Sequence, residues 1–161
     1  MTNSSKTSTR SDHDAAIQAS RDDRARMLKA MAALEAALAT GAVSRHGAWK
    51  DGVMSMLGVL EEAMEAQTRE LDSDEGVLAE ILGQAPRFER QVRRLRDQYA
   101  DLVRQIHNLR EQFSDSGVPE QRDVSEIRQR SAWLITAIRH FQAHESDLLW
   151  DAFQVDVGVG D

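Results

Sequence analysis

The stretch that decides the fold is residues 86–113, PRFERQVRRLRDQYADLVRQIHNLREQF. Its large apolar and aromatic side chains recur at alternating steps of four and three residues, which is the heptad spacing of a packed helix face. Pro86 suits the first turn of a helix, and the segment SDSGVP that follows residue 113 ends it. The spacing predicts an amphipathic helix whose buried positions are Phe88, Val92, Leu95, Tyr99, Leu102, Ile106, Leu109 and Phe113.

Three more long segments carry an apolar stripe with helical spacing, and no segment alternates like a strand. The stripes predict helices over about residues 12–41, 44–71 and 120–153, with a short helical turn over 77–82. Because the connections are short, we expect an all-α fold, an up-down antiparallel four-helix bundle. The remaining predicted buried positions are Met27, Met31, Leu34, Leu38, Trp49, Val53, Leu57, Leu60, Met64, Gln67, Leu71, Val124, Ile127, Ser131, Leu134, Ile138, Phe141, Glu145, Leu148 and Ala152.

The chain length predicts one domain with two tails. A chain of 161 residues allows little more than one domain. Residues 1–11 hold seven Ser and Thr and are expected to form a disordered tail. The bundle is then assigned to residues 12–154, and residues 155–161, VDVGVGD, form a glycine-spaced C-terminal tail.

Composition excludes several classes of function. With no cysteine, the chain has no disulfides and no thiolate metal sites. No apolar stretch approaches the length of a membrane span and no signal segment is evident, so we expect a cytoplasmic protein without a membrane partner. The formal charge of −7 argues against nucleic-acid binding, and the arginines of residues 87–96 are interpreted as a solvated face.

Three positions of the stripes hold large polar side chains, Gln67, Tyr99 and Glu145. A carboxylate buried without a partner is costly, so Glu145 must be hydrogen-bonded, ion-paired, protonated or metal-bound, unless it reaches solvent near the helix end. In a pair of antiparallel helices, two residues that face each other at the same height along the helix axes have numbers that add up to a constant. This arithmetic predicts two polar contacts, Gln67–Glu145 and Tyr99–His140.

Histidines near these positions suggest a second interpretation, a metal site. His140 and His144 lie one turn apart beside Glu145, and imidazole with carboxylate is a ligand set for iron, manganese or zinc. Di-iron carboxylate sites are built inside bundles from facing helices. Tyr99 and His107 are further candidate ligands of such a site.

The last helix resembles a known family at this point. The segment RHFQAHESDLLWDAF, residues 139–153, is similar to the last helix of the hemerythrin-like, HHE cation-binding family. In that family a histidine is followed five residues later by a ligating Glu or Asp, and His140 and Glu145 take those places. Residues 76–109 also resemble the family's proline-started helix, with Tyr99 standing where a histidine is expected.

The resemblance implies a bundle whose intact members bind a di-iron centre and handle or sense oxygen, nitric oxide or iron. Gln67 is the best match to a further family histidine, so two expected ligands are replaced here. We therefore expect a lost or altered metal centre, no cofactor, and a non-enzymatic structural, sensory or partner-binding domain. The candidate metal ligands, in order, are His140, Glu145, His144, Tyr99, Gln67 and His107.

Two alternatives remain open from the sequence. One is a working di-iron or mononuclear bundle that uses iron and an altered ligand set, and the other is an unrelated helical adaptor or assembly module. Ordinary enzyme motifs, such as a glycine-rich phosphate loop or a GxSxG elbow, are absent from the sequence. The carboxylates Glu61 and Glu62 are interpreted as solvated, which also favours a protein that is not an enzyme.

The positions of the three tryptophans indicate whether the chain has a surface for binding another protein. Trp49 and Trp133 are interpreted as packing residues. Trp150 follows Leu148 and Leu149, so the last helix either packs this side against the first helix or exposes an apolar stripe. An exposed stripe would serve as the interface with a second copy or with another protein.

Overall fold

The chain forms an all-helical bundle in a computed structural model that describes residues 4–41 and 45–154. No strand occurs within these ranges, so the all-α class is confirmed. No helix in this part of the chain is long and apolar enough to cross a membrane. The elements are α1 (Ser4–Ala39), α2 (His46–Asp72), α3 (Val77–Gln84), a 3-10 turn (Pro86–Phe88), α4 (Glu89–Ser114) and α5 (Gln121–Gln154).

The four long helices pack around one core made by the predicted stripes. Helix α2 packs against α1 and α4, and α4 packs against α5. Every predicted stripe position of α2 and α4 is buried, and Leu38 and Ala152 are partly buried at the ends of the other two stripes. The heptad spacing therefore identified the buried face of each helix correctly.

The first helix is longer than predicted. Helix α1 begins at Ser4 and not near residue 12, where the sequence pattern predicts its start. No glycine or proline stands between residues 4 and 12 to stop the helix. The expectations for residues 1–3 and for the C-terminal tail, 155–161, lie outside the described residues.

The α4–α5 connection is tied to the start of α2 by a buried lysine. Lys50 is 4% exposed, and its ammonium donates to the carbonyl oxygens of Ser116 and Gly117. These carbonyls follow the end of α4, where a cation satisfies backbone acceptors that have no helical partner. The contact fixes the turn that makes α5 antiparallel to α4.

Helices α1 and α5 are joined differently, by arginine side chains that bridge them. Arg139 pairs with Glu35 at 2.7 Å, and Arg128 donates to the carbonyl oxygen of Thr40 at 3.2 Å. Further toward the N-terminus of α1, Arg24 donates to the hydroxyl of Ser146 on α5 at 2.8 Å. Long polar bridges hold two helices further apart than interlocked apolar side chains do, which leaves room between them near this end of the bundle.

The turn between α2 and α3 generates a prediction about two glycines. A Cβ on Gly76 would lie 2.5 Å from the backbone oxygen of Glu70, whereas a Cβ on Gly83 would meet nothing within 4 Å. Gly76→Ala should therefore lower the free energy of unfolding by about 1–3 kcal/mol through overpacking. Gly83→Ala, the matched control in α3, should raise it by about 0.5–1 kcal/mol. Urea denaturation followed by circular dichroism measures both, and equal effects of the two substitutions would contradict the prediction.

Candidate functional site

The centre of the bundle holds a hydrogen-bonded chain of three polar side chains, which we call the polar cluster: Tyr99, Gln67 and Glu145. The Tyr99 hydroxyl donates to Gln67 Oε1 at 3.1 Å. Gln67 Nε2 then donates to Glu145 Oε1 over a longer distance of 3.5 Å. The predicted Gln67–Glu145 contact is confirmed, and the amide of Gln67 connects the phenol to the carboxylate.

Burial is the main cause of the pKa shifts of Glu145 and Tyr99 in the polar cluster. Burial raises the pKa of Glu145 above its ordinary value, while the charge of Arg24 and the hydrogen bond from Gln67 oppose that rise. Burial, with the nearby carboxylate of Glu145, raises the pKa of Tyr99 far above its usual range. The phenol of Tyr99 therefore stays protonated and donates its hydrogen bond to Gln67. This sets the order of donors and acceptors along the polar cluster.

A small cavity of about 20 Å³ adjoins the polar cluster. It is large enough for one water molecule, and Asp23, Glu70 and Glu145 supply polar atoms to its wall. Burial, reinforced by the charge of Asp23, raises the pKa of Glu70. Glu70 Oε1 is also buried without a hydrogen-bond partner among the described protein atoms.

The histidines do not join this cluster. His140 and His144 are exposed on α5, although Glu145 is only 8% exposed. The predicted Tyr99–His140 contact is therefore wrong. Phe141 occupies the core position instead, with its ring centroid 4.5 Å from that of Tyr99. Neighbouring residues of a helix point about 100° apart. The residue sums therefore estimate the level of His140 along the helix axis but do not indicate which side of the helix it faces.

The residues present do not fit the metal centre that the family resemblance implies. The polar cluster offers one carboxylate, one amide and a protonated phenol, whereas the candidate imidazoles lie on the surface. Within the described ranges, no group of three or more His, Asp or Glu side chains is arranged to hold a metal ion. The candidate ligands are thus divided between the core and the solvent.

His107, the remaining candidate ligand, belongs to a second polar group that sequence reasoning missed. Its Nδ1 lies 2.9 Å from Glu61 Oε1, and Arg110 pairs with the other carboxylate oxygen of Glu61. Glu61 is 5% exposed, so its assignment as a solvated carboxylate is wrong. No pattern within α2 indicates this burial, because the partners of Glu61 stand on α4.

The structure also contains a larger opening, which we call the chamber, between α1, α3 and α5. Its volume is about 370 Å³, within the range of small-molecule pockets. Its wall combines apolar side chains with Ser20 and two arginines of α1 and with Glu80 of α3. No sequence pattern predicts the chamber, because it depends on the spacing between α1 and α5 and not on the pattern of either helix.

The three tryptophans divide between core and surface. Trp49 is 7% exposed, which confirms it as a packing residue. Trp133 is 53% exposed and Trp150 is 65% exposed, so the assignment of Trp133 to packing is wrong and most of the Trp150 side chain faces solvent. Helix α5 therefore presents two large aromatic side chains to solvent.

Comparisons with protein-family models, with curated proteins and with solved structures found no significant match to this chain.

Titration of Glu145 generates a testable prediction. Because its folded pKa is raised, the native state binds more protons than the unfolded state between the ordinary pKa of 4.5 and the folded one. The free energy of unfolding therefore falls as pH rises through this interval. Glu145→Gln should remove that fall and should be more stable than the native chain at neutral pH, as measured by urea denaturation from pH 4 to pH 8.

The control for this experiment is Glu62→Gln, which removes an exposed carboxylate from α2. It changes the net charge by the same amount without touching the polar cluster. Parallel stability curves for the native chain and Glu145→Gln would show that burial does not govern the titration of this carboxyl.

Proposed function

We propose that the chain is a hemerythrin-like four-helix bundle that has lost its metal centre and acts as a non-enzymatic binding domain, with α5 as its contact surface. The partner we propose is a second copy of the chain. The observation that carries the proposal is that α5 exposes Trp133 and Trp150 while its opposite face is already buried in a complete core. Tryptophans are enriched among the residues that dominate protein interfaces.

The polar cluster supports the loss of the metal centre. At two positions where the resemblance leads us to expect histidines, Gln67 and Tyr99 form a hydrogen bond with each other. The hydrogen bond from Gln67 and the nearby charge of Arg24 partner the buried carboxylate of Glu145 without a metal ion. The interior therefore has a structural explanation that does not require iron.

The charge pattern of α5 supports a second copy as the partner. Residues 121–139 contain four arginines against two acidic residues, whereas residues 140–154 contain no lysine or arginine and, besides the buried Glu145, the two exposed acidic residues Asp147 and Asp151. Two α5 helices packed antiparallel bring the basic half of each against the acidic half of the other. Such an interface is self-complementary, as a two-fold symmetric dimer requires.

The loss of the metal centre is tested by metal content. Protein without a tag, produced with added iron, should contain far less than one iron per chain and show neither an oxo-bridge nor a tyrosinate absorption band. The double variant Gln67→His with Tyr99→His returns imidazoles to the family positions and serves as the matched comparison. Stoichiometric iron in the native chain would contradict the proposal.

Self-association through α5 is tested by sedimentation velocity over a range of protein concentrations. The native chain should form a dimer that weakens with added salt, because the charge pairing is screened. Trp150→Ser should weaken dimerisation by about tenfold or more, as expected for an interface tryptophan. Val118→Ser is the control, since Val118 is 79% exposed but lies outside α5. A chain that stays monomeric, or equal effects of both variants, would contradict the dimer.

A further inference from the structure

The chamber has two distinct kinds of wall. Ile17 of α1, Val77 of α3, and Leu149 and Phe153 of α5 supply apolar surface from three helices. Phe153 is 39% exposed although it lies beside this opening. An apolar surface of this kind is stabilised when a hydrocarbon group displaces water from it.

Two guanidinium groups of α1, those of Arg21 and Arg24, line the same chamber together with one carboxylate, that of Glu80 of α3. Arg24 is held in place by hydrogen bonds to neutral groups, the Ser146 hydroxyl at 2.8 Å and the Gln142 carbonyl at 3.4 Å. Arg21 has no hydrogen-bond or ion-pair partner among the described side chains. Both cations lie one turn apart on α1, a spacing that allows them to contact one anionic group together.

The size of the chamber limits the occupant. At about 30 Å³ for each non-hydrogen atom, its volume of about 370 Å³ holds roughly twelve such atoms. This suits one hydrocarbon chain of medium length with a small head group.

The neighbouring carboxylates orient such a molecule. The small cavity beside the polar cluster shares Val77 and Leu149 with the chamber, and its polar wall includes Asp23, Glu70 and Glu145. These carboxylates repel an anionic head group and keep it at the two arginines. The uncharged chain lies along the apolar wall.

We propose that the chamber between α1, α3 and α5 binds a single-chain amphipathic carboxylate, with its head group on Arg21 and Arg24 and its chain against Val77, Leu149 and Phe153. Neither exposed tryptophan of the proposed dimer surface lines this site. It is a ligand-binding activity in addition to the proposed function and does not depend on self-association.

The test is calorimetric titration of the full chain with decanoate below its micelle concentration. Decanoate should bind once per chain, and decanol and decylamine, which lack the negative charge, should bind at least tenfold more weakly. Arg24→Gln should weaken decanoate binding by about tenfold, because it removes a charge-assisted contact. Arg21→Gln should weaken it by about threefold, because this arginine is exposed.

Controls separate the site from general effects. Arg87→Gln removes an exposed arginine that stacks on Phe88 away from the chamber, and should leave decanoate affinity unchanged. Methyl shifts of Val77 and Leu149 in nuclear magnetic resonance should locate the bound chain. These shifts also keep the Arg24→Gln result interpretable if that variant is less stable.

Several binding results would each overturn the proposal: no decanoate binding, equal binding of decanoate and decanol, tighter binding of decylamine, or methyl shifts outside the chamber. A tenfold gain in decanoate affinity on Val157→Ser would identify the C-terminal residues of the chain as the occupant, and would overturn it too. A loss of affinity at high protein concentration would identify a second copy in the chamber, with the same consequence.

Discussion

The constraint on which the rest of the structure depends is the burial of a carboxylate, Glu145, inside a core of hydrocarbon side chains. Removing this group from water costs free energy that only hydrogen bonds, a counter-charge or protonation can offset. Gln67 supplies the hydrogen bond, and Tyr99 satisfies the other end of that amide. Since the three side chains come from α2, α4 and α5, their contact fixes the relative level of three helices at once.

This constraint also explains the placement of the histidines. Glu145 takes the inward position on α5, and His140 and His144 consequently lie on the exposed side of the same helix. A metal centre inside the bundle would need at least one of them to face inward. The side of α5 that is buried is set by Phe141 and Leu148, whose apolar area outweighs any preference of the imidazoles.

The sequence predicted the fold well because the four stripes are long and regular. Step patterns of three and four residues identify a buried face, and the residue sums located Gln67 opposite Glu145. The same arithmetic failed for Tyr99 and His140, because level along the axis says nothing about rotation around it. Glu61 was missed for another reason: its burial depends on Arg110 and His107 of α4, which no pattern within α2 contains.

The chamber lay beyond sequence reasoning because it arises from the distance between two helices. Where α1 packs on α2, interlocked apolar side chains close the space between them. Where α1 faces α5, arginines such as Arg24 and Arg139 bridge the gap through polar contacts. A guanidinium at the end of a long side chain holds helices together without filling the volume between them. The arginines that join α5 to α1 therefore also leave the chamber open between these helices and contribute charge to its wall.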